Sequence, residues 1–214
     1  RNVGEYFDTF RRTPMNDWHI ENKAEFENVG QWKRAWYYPK NNETMHEAVQ
    51  RESKAARNSA GILDASTLGK IDIQGTDASE FLNRVYTNAW SKLAIGKCRY
   101  GLMLNEDGMV YDDGVTTRLD ENHYIMTTTT GGAANVLGKL EDYLQTEWPE
   151  LDVYLSSVTD HYATASICGP NSKKILNKLI PDLDLSDESF PHMSFKNAKI
   201  GNIKCRIMRI SFTG

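Results

Sequence analysis

Ile73-Gln-Gly75-Thr-Asp-Ala-Ser-Glu-Phe-Leu82-Asn83-Arg84-Val85 and Ile167-Cys-Gly169-Pro-Asn-Ser-Lys-Lys-Ile-Leu176-Asn177-Lys178-Leu179 decide the fold. Each stretch reads as the end of an apolar strand, a glycine turn and a helix, with Leu-Asn-basic-apolar at the same distance from the glycine. Every matched position is offset by 94 residues. A single shared offset marks two related β-α units. Strands, helix, strands, helix along one chain predict an α+β fold in which helices cover one face of antiparallel sheets.

Working outward, Lys70-Ile-Asp-Ile73 alternates as a half-buried strand does. Asp77-Ala-Ser-Glu80 has the pattern of a capping box for the helix carrying Phe81, Leu82 and Val85. Residues 99–130 read as consecutive hairpins, with Asn105-Glu-Asp-Gly108 as a turn between Tyr100–Leu104 and Met109–Tyr111. Asp120-Glu-Asn122 makes the next turn before the β-prone run His123–Thr130. Val136, Leu137, Leu140 and Leu144 then recur at helical spacing. Upstream, Thr44-Met-His-Glu47 is a second capping box, predicting a helix to about Ala60 with Gly61 as its stop. Residues 1–43 are aromatic-rich and read as an irregular arm; 44–214 read as the folded region, its two units spanning about 62–148 and 149–214. In the arm Trp18, Trp32 and Trp36 stand among Arg11, Arg12, Lys33 and Arg34. Such interleaving can stack bases, but Asp17, Glu21, Glu25 and Glu27 dilute the charge, and packing onto a domain or a partner subunit is the simpler reading.

Composition excludes several classes. The chain has 214 residues, 40% hydrophobic and 25% charged, enough to build a core. Lys plus Arg total 25 against 29 acidic residues, a net charge of −4 without a nucleic-acid binder's basic footprint. No apolar run approaches the roughly 20 residues that span a bilayer. Cys98, Cys168 and Cys205 are odd in number and widely spaced, against a disulfide framework or a paired-cysteine metal site and in keeping with a reducing cytoplasm. The first residue is Arg1, as expected of a piece of a longer chain.

No phosphate-binding glycine loop, nucleophile elbow or zinc motif is present, and histidines 19, 46, 123, 161 and 192 are scattered, so no metal site is expected. Asp112-Asp113 admits two readings. Consecutive strand residues face opposite sides, so one carboxylate could meet an amine-bearing ligand and act in acid–base chemistry; equally, the pair could be turn chemistry. Thr127–Thr130 either binds polar ligand groups or forms a β-prone strand ending in a helix cap.

Leu63-Asp-Ala-Ser-Thr-Leu-Gly-Lys70, Tyr100-Gly-Leu-Met-Leu-Asn105 and Gly108-Met-Val-Tyr-Asp-Asp113 resemble the folate-binding aminomethyltransferases, a family that includes the glycine-cleavage T-protein and the folate domains of sarcosine and dimethylglycine oxidases. Arg12-Thr-Pro-Met-Asn-Asp-Trp-His19, Asn83-Arg-Val-Tyr-Thr-Asn88 and Ile210-Ser-Phe-Thr-Gly214 are most similar to the branch formed by the α subunits of heterotetrameric sarcosine oxidases. The resemblance implies ferredoxin-like β-α units around a folate cavity, without the family's C-terminal domain. It implies tetrahydrofolate as cofactor, with Asp112 as the acid–base residue beside the reactive nitrogens. Leu68, where the family has Met, and Thr128, where it has Asn, would line the pteridine site with Tyr100. Phe212 stands where the family has a tyrosine, and the chain stops before its acidic residue.

The activity implied is capture of the one-carbon unit released by oxidative demethylation of sarcosine, giving 5,10-methylenetetrahydrofolate. Flavins and NAD would belong to other parts of the assembly, and the partner would be a flavin-bearing β subunit. Two alternatives stand beside it: a non-catalytic folate-domain fragment serving as scaffold or interface, and an aminomethyltransferase of the T-protein kind.

Overall fold

A computed structural model describes residues 8–211. In chain order they form β1 (Arg11–Arg12), α1 (Asn16–Glu21), β2 (Glu25–Val29), β3 (Trp32–Tyr37), α2 (Met45–Asn58) and β4 (Gly61–Asp64). Next come β5 (Gly69–Gln74), α3 (Ala78–Val85), β6 (Cys98–Leu104), β7 (Val110–Asp120), β8 (His123–Thr128) and α4 (Ala133–Asp142). The chain then makes β9 (Tyr154–Ser157), β10 (Ala165–Cys168), α5 (Ser172–Leu179), β11 (Ser194–Ile200) and β12 (Ile203–Arg209). It divides into two units: the chain up to Thr67 with Asp160–Ser172, and Leu68–Thr159 with the chain from Lys173 onward.

In the first unit the stretch expected to be irregular carries α1 and a sheet of order β1-β3-β2. The Arg11 guanidinium lies 4.0 Å over the Trp32 ring and pairs with Asp160 at 2.7 Å. α2 starts as the capping box requires: Thr44 Oγ1 accepts from the Glu47 amide, and Glu47 Oε2 accepts from the Thr44 amide at 2.8 Å. The helix stops before Gly61, with Ser59 as its cap. Gly61 opens β4 instead, where a side chain would begin 3.1 Å from Ala56 Cβ and 3.3 Å from Cys168 Sγ. β4 pairs antiparallel with β10.

A buried polar chain ties α1 to β4. His19 is 2% exposed, with Nε2 2.8 Å from Asp64 Oδ2 and Nδ1 2.6 Å from the Tyr38 hydroxyl. A carboxylate beside Nε2 assigns the proton to that nitrogen, so Nδ1 accepts from Tyr38. Burial raises the Asp64 pKa, but hydrogen bonds from Ser66, Thr13 and His19 outweigh it and hold the carboxyl below its ordinary value. Burial, then the charges of Asp64 and Glu52, push the Tyr38 phenol up to about 12.

The second unit is built on an antiparallel sheet of order β6-β7-β8-β5-β9. Its inner face contributes Ile71, Ile73, Met103, Tyr124 and Met126 to one core with Phe81, Leu82 and Val85 of α3 and Val136 and Leu140 of α4. A second cluster joins Ile180, Leu185 and Phe190 with Leu176 of α5 and the β11–β12 hairpin. Asp77 does not cap α3 through its side chain; its carboxylate accepts from the Asp152 amide at 2.8 Å instead.

The sequence echo is an echo of structure. β5, Gly75 and α3 recur as β10, Gly169 and α5, with strand ends, glycines and helix bounds all offset by 94. Both glycines have positive φ, +135° and +97°, a turn that L side chains resist. The helices differ in burial: Phe81 is fully buried, while Ile175 at the matching place is 37% exposed.

Two outcomes follow. Chemical denaturation should show Phe81→Ala costing about 3–5 kcal/mol and Ile175→Ala less than about 1 kcal/mol; equal costs would contradict the difference in packing. Asp64→Asn should cost about 1.5–3 kcal/mol by removing the charged acceptor of the buried His19 hydrogen bond. Because the folded pKa of Asp64 is depressed, its contribution is present above the unfolded value of about 3.9 and lost as pH falls toward the folded value. A wild-type–minus–variant stability difference that grows on acidification below that value would contradict this assignment.

Candidate functional site

Asp112 and Asp113 lie within β7, not in the turn, so the pleat sends them to opposite faces. Asp112 pairs with Met103 on the inner face and is 4% exposed. Its Oδ1 accepts from the Thr129 hydroxyl at 2.6 Å and its Oδ2 from the Thr129 amide at 3.2 Å. Thr129 Oγ1 accepts in turn from the amide of Gly132, the residue before α4, at 3.2 Å. Asp112 thus fastens the turn from β8 into α4. Burial pushes its carboxyl up and the charge of Asp113 adds to this, while the Thr129 bonds oppose it.

Asp113 faces the other way. It accepts from the Tyr100 hydroxyl at 2.9 Å, and Tyr100 is 49% exposed. Donation to that carboxylate holds the phenol proton and raises the Tyr100 pKa. Across this outer face the register aligns Lys70 with Thr127 and Val115 with Tyr100. Thr127 Oγ1 joins the middle of the row, accepting from the Val115 amide at 2.9 Å and donating to its carbonyl at 3.2 Å. An exposed ring beside a carboxylate acceptor can take a flat heterocycle that carries N–H donors.

The described residues among those expected from the sequence are therefore not all brought together. Tyr100 is on the outer face; Asp112 and Thr128 are buried on the inner face, Thr128 donating to the Thr129 carbonyl at 3.0 Å. The outer-face hydroxyl is that of Thr127, one residue earlier. Leu68 precedes β5, half-buried, with its carbonyl accepting from Lys70 Nζ at 2.9 Å. Phe212 lies outside the described residues. Both aspartates and the Thr127–Thr130 run were open candidates in the sequence; what it did not provide is the bond from Thr129 to Asp112 and the pairing of Tyr100 with Asp113, although counting alternate positions across the hairpin from Tyr100 leads to Asp113.

The GCVT N-terminal domain model matches residues 15–214. Sarcosine oxidase subunit alpha from Corynebacterium sp. (strain P-1) is 55% identical over 100% of this chain, which covers 22% of that protein. The crystal structure of glycine cleavage system aminomethyltransferase T from Bartonella henselae superposes with a TM-score of 0.77 at 23% identity, over 95% of this chain and 51% of that one. The heterotetrameric sarcosine oxidase from Corynebacterium sp. U-96 gives a TM-score of 0.50 at 14% identity, over 77% of this chain and 78% of the matched chain. The fold is thus that of the T-type aminomethyltransferases, and the chain spans about a fifth of the sarcosine oxidase subunit alpha and about half of the aminomethyltransferase.

Close packing at the Asp112 turn is testable through glycine. A side chain at Gly132 would begin 2.8 Å from Asp112 Oδ1 and 2.7 Å from Thr129 Oγ1, whereas at Gly138, inside α4, nothing lies within 4 Å. Gly138→Ala should stabilise by about 0.5–1 kcal/mol through helix propensity, and Gly132→Ala should destabilise. Thermal unfolding of the two variants checks the signs; a stabilising Gly132→Ala would remove the argument.

Proposed function

The chain belongs to the GCVT N-terminal domain family, and on that premise we propose that it is the tetrahydrofolate-binding part of a sarcosine oxidase α subunit. Its role is to capture the one-carbon unit left by oxidative demethylation of sarcosine, forming 5,10-methylenetetrahydrofolate. The observation that carries this reading is the Tyr100–Asp113 pair, an exposed ring hydrogen-bonded to a carboxylate on one sheet face. It stands in a chain whose whole length aligns with sarcosine oxidase subunit alpha.

When bound, tetrahydrofolate supplies the amine nitrogens that take up the one-carbon unit. The work of this chain is to bind, orient and hold charge. Tyr100 offers a ring face for stacking and keeps Asp113 in place by donating to it. Asp113 accepts from the ligand's N–H groups and takes the proton released as carbon–nitrogen bond formation proceeds. Asp112, the acid–base residue implied by the resemblance, has the supporting role in this proposal, because both its oxygens are engaged by Thr129 on the far face. Flavin and NAD chemistry is assigned to other parts of the assembly, with a flavin-bearing β subunit as partner. The three cysteines are free thiols, in keeping with a cytoplasmic setting.

Two measurements test the reading. Isothermal titration of this chain with tetrahydrofolate should give saturable heat; its absence, with no rise in melting temperature, sinks folate binding by the chain. In the complete enzyme, Asp113→Asn should lower methylenetetrahydrofolate formation by about 10²-fold or more while sarcosine oxidation continues and formaldehyde is released. Asp112→Asn should act chiefly by lowering stability. The reverse pattern would return the acid–base role to Asp112.

A further inference from the structure

Tyr86 follows α3 as its cap and forms an antiparallel bridge with Met103, which pairs with Asp112. Paired residues share a face, so Tyr86, Met103 and Asp112 make one cross-strand row on the inner side of the sheet. The Tyr86 ring lies against β6 at Gly101, where a side chain would begin 3.1 Å from Tyr86 Cδ1 and 2.6 Å from Trp90 Cζ2. Gly101 pairs with Gly114, two residues from Asp112 along β7. The ring therefore rests on a strip that offers no side chains beside the carboxylate.

Tyr86 is 4% exposed, and its hydroxyl has no hydrogen-bond partner among the described residues. Buried hydroxyls are rarely left unsatisfied, because desolvation without a partner is costly. Burial raises the phenol's pKa, and the charges acting on it are those of Asp112 and then Asp113. A carboxylate has about four acceptor positions; Thr129 fills two of those on Asp112, and the Asp113 amide also donates to it.

We propose that Tyr86 is a positioning residue that acts through Asp112: its hydroxyl donates to the remaining acceptor position of that carboxyl through one buried water. Tyr86 then holds Asp112 from the β6 side as Thr129 holds it from the β8–α4 turn. The link rests on the geometry of the inner face and not on the identity of the ligand. Among the described residues, the charge that bears on Asp112 is that of Asp113 on β7, and those that bear on Tyr86 are Asp112 and Asp113; Lys139 on α4 is engaged by Glu106 at 3.3 Å and lies 4.7 Å over the Tyr111 ring.

Carbon-13 NMR titration of the Asp112 carboxyl in this chain, assigned with Asp112→Asn, tests the link without any ligand. A donor favours the charged form, so the midpoint in Tyr86→Phe should lie about 0.5–1 unit above that of the wild type. A midpoint unchanged within about 0.2 unit, well below the shift that a lost hydrogen bond produces, overturns the proposal. Trp90→Phe is the control, since the Trp90 indole nitrogen is also buried without a partner among the described residues. A shift in that variant and not in Tyr86→Phe assigns the donor to Trp90 and likewise overturns it. Should Tyr86→Phe not fold, the wild type decides. A slowly exchanging Tyr86 hydroxyl proton that shifts as Asp112 titrates supports the link, and one indifferent to that titration contradicts it.

Discussion

Side chains alternate along a β-strand, and at Asp112–Asp113 that alternation sorts two identical carboxylates into different chemistries. The inner one sits under α4, pushed toward its neutral form by burial and held by two bonds from Thr129. The outer one meets an exposed phenol. Neither role could pass to its neighbour without a one-residue slip of β7, and the slip would bring Asp113 into the core and expose Asp112. The register of the β6–β7 hairpin is therefore the constraint on which the site depends.

That register is held from both sides. Met103, Tyr124 and Met126 contribute the apolar half of the inner face, and the core formed with α3 and α4 fixes which half it is. The Asp112–Thr129–Gly132 chain joins β7 to the start of α4, so the turn that completes the core also carries the buried charge. On the outer face the bonds are between neighbouring strands: Thr127 to Val115, and Tyr100 to Asp113. A helix-covered side thus backs a side that is open at Tyr100, though buried at Lys70, Cys98 and Thr117, a division suited to orienting a flat ligand at the Tyr100 end.

Local chemistry made much of the fold legible. The strand–glycine–helix echo is readable because a positive-φ turn selects glycine and helices of equal length need the same apolar spacing. The Thr44–Glu47 box formed because both partners lie within one turn. The similar pattern at Asp77 did not cap through its side chain, since the Asp152 amide takes that carboxylate, a contact 75 residues away. His19 and Asp64, 45 residues apart, carry no local signal, which is why a scattered histidine proved to be the centre of a buried polar chain. The 8–43 stretch differs: β2 and β3 form a local hairpin around Gly30 and β1 pairs with β3, so its sheet is built within residues 11–37 and only the Arg11–Asp160 pair reaches far along the chain. At the site, the family resemblance and strand alternation together identified a carboxylate pair, but assigning the roles required knowing that Tyr100 stands opposite Val115, and hence beside Asp113.

In the proposed complex the ligand meets the Tyr100–Asp113 face while Asp112 stays inside. Amide chemical-shift mapping during titration with tetrahydrofolate tests it most directly, because it reads every strand of the sheet in one experiment. The largest shifts are expected at Tyr100, Asp113 and Thr127, with Met103, Met126 and the start of α4 little changed. Shifts centred on Asp112, Thr128 and Gly132, with Tyr100 silent, would contradict it.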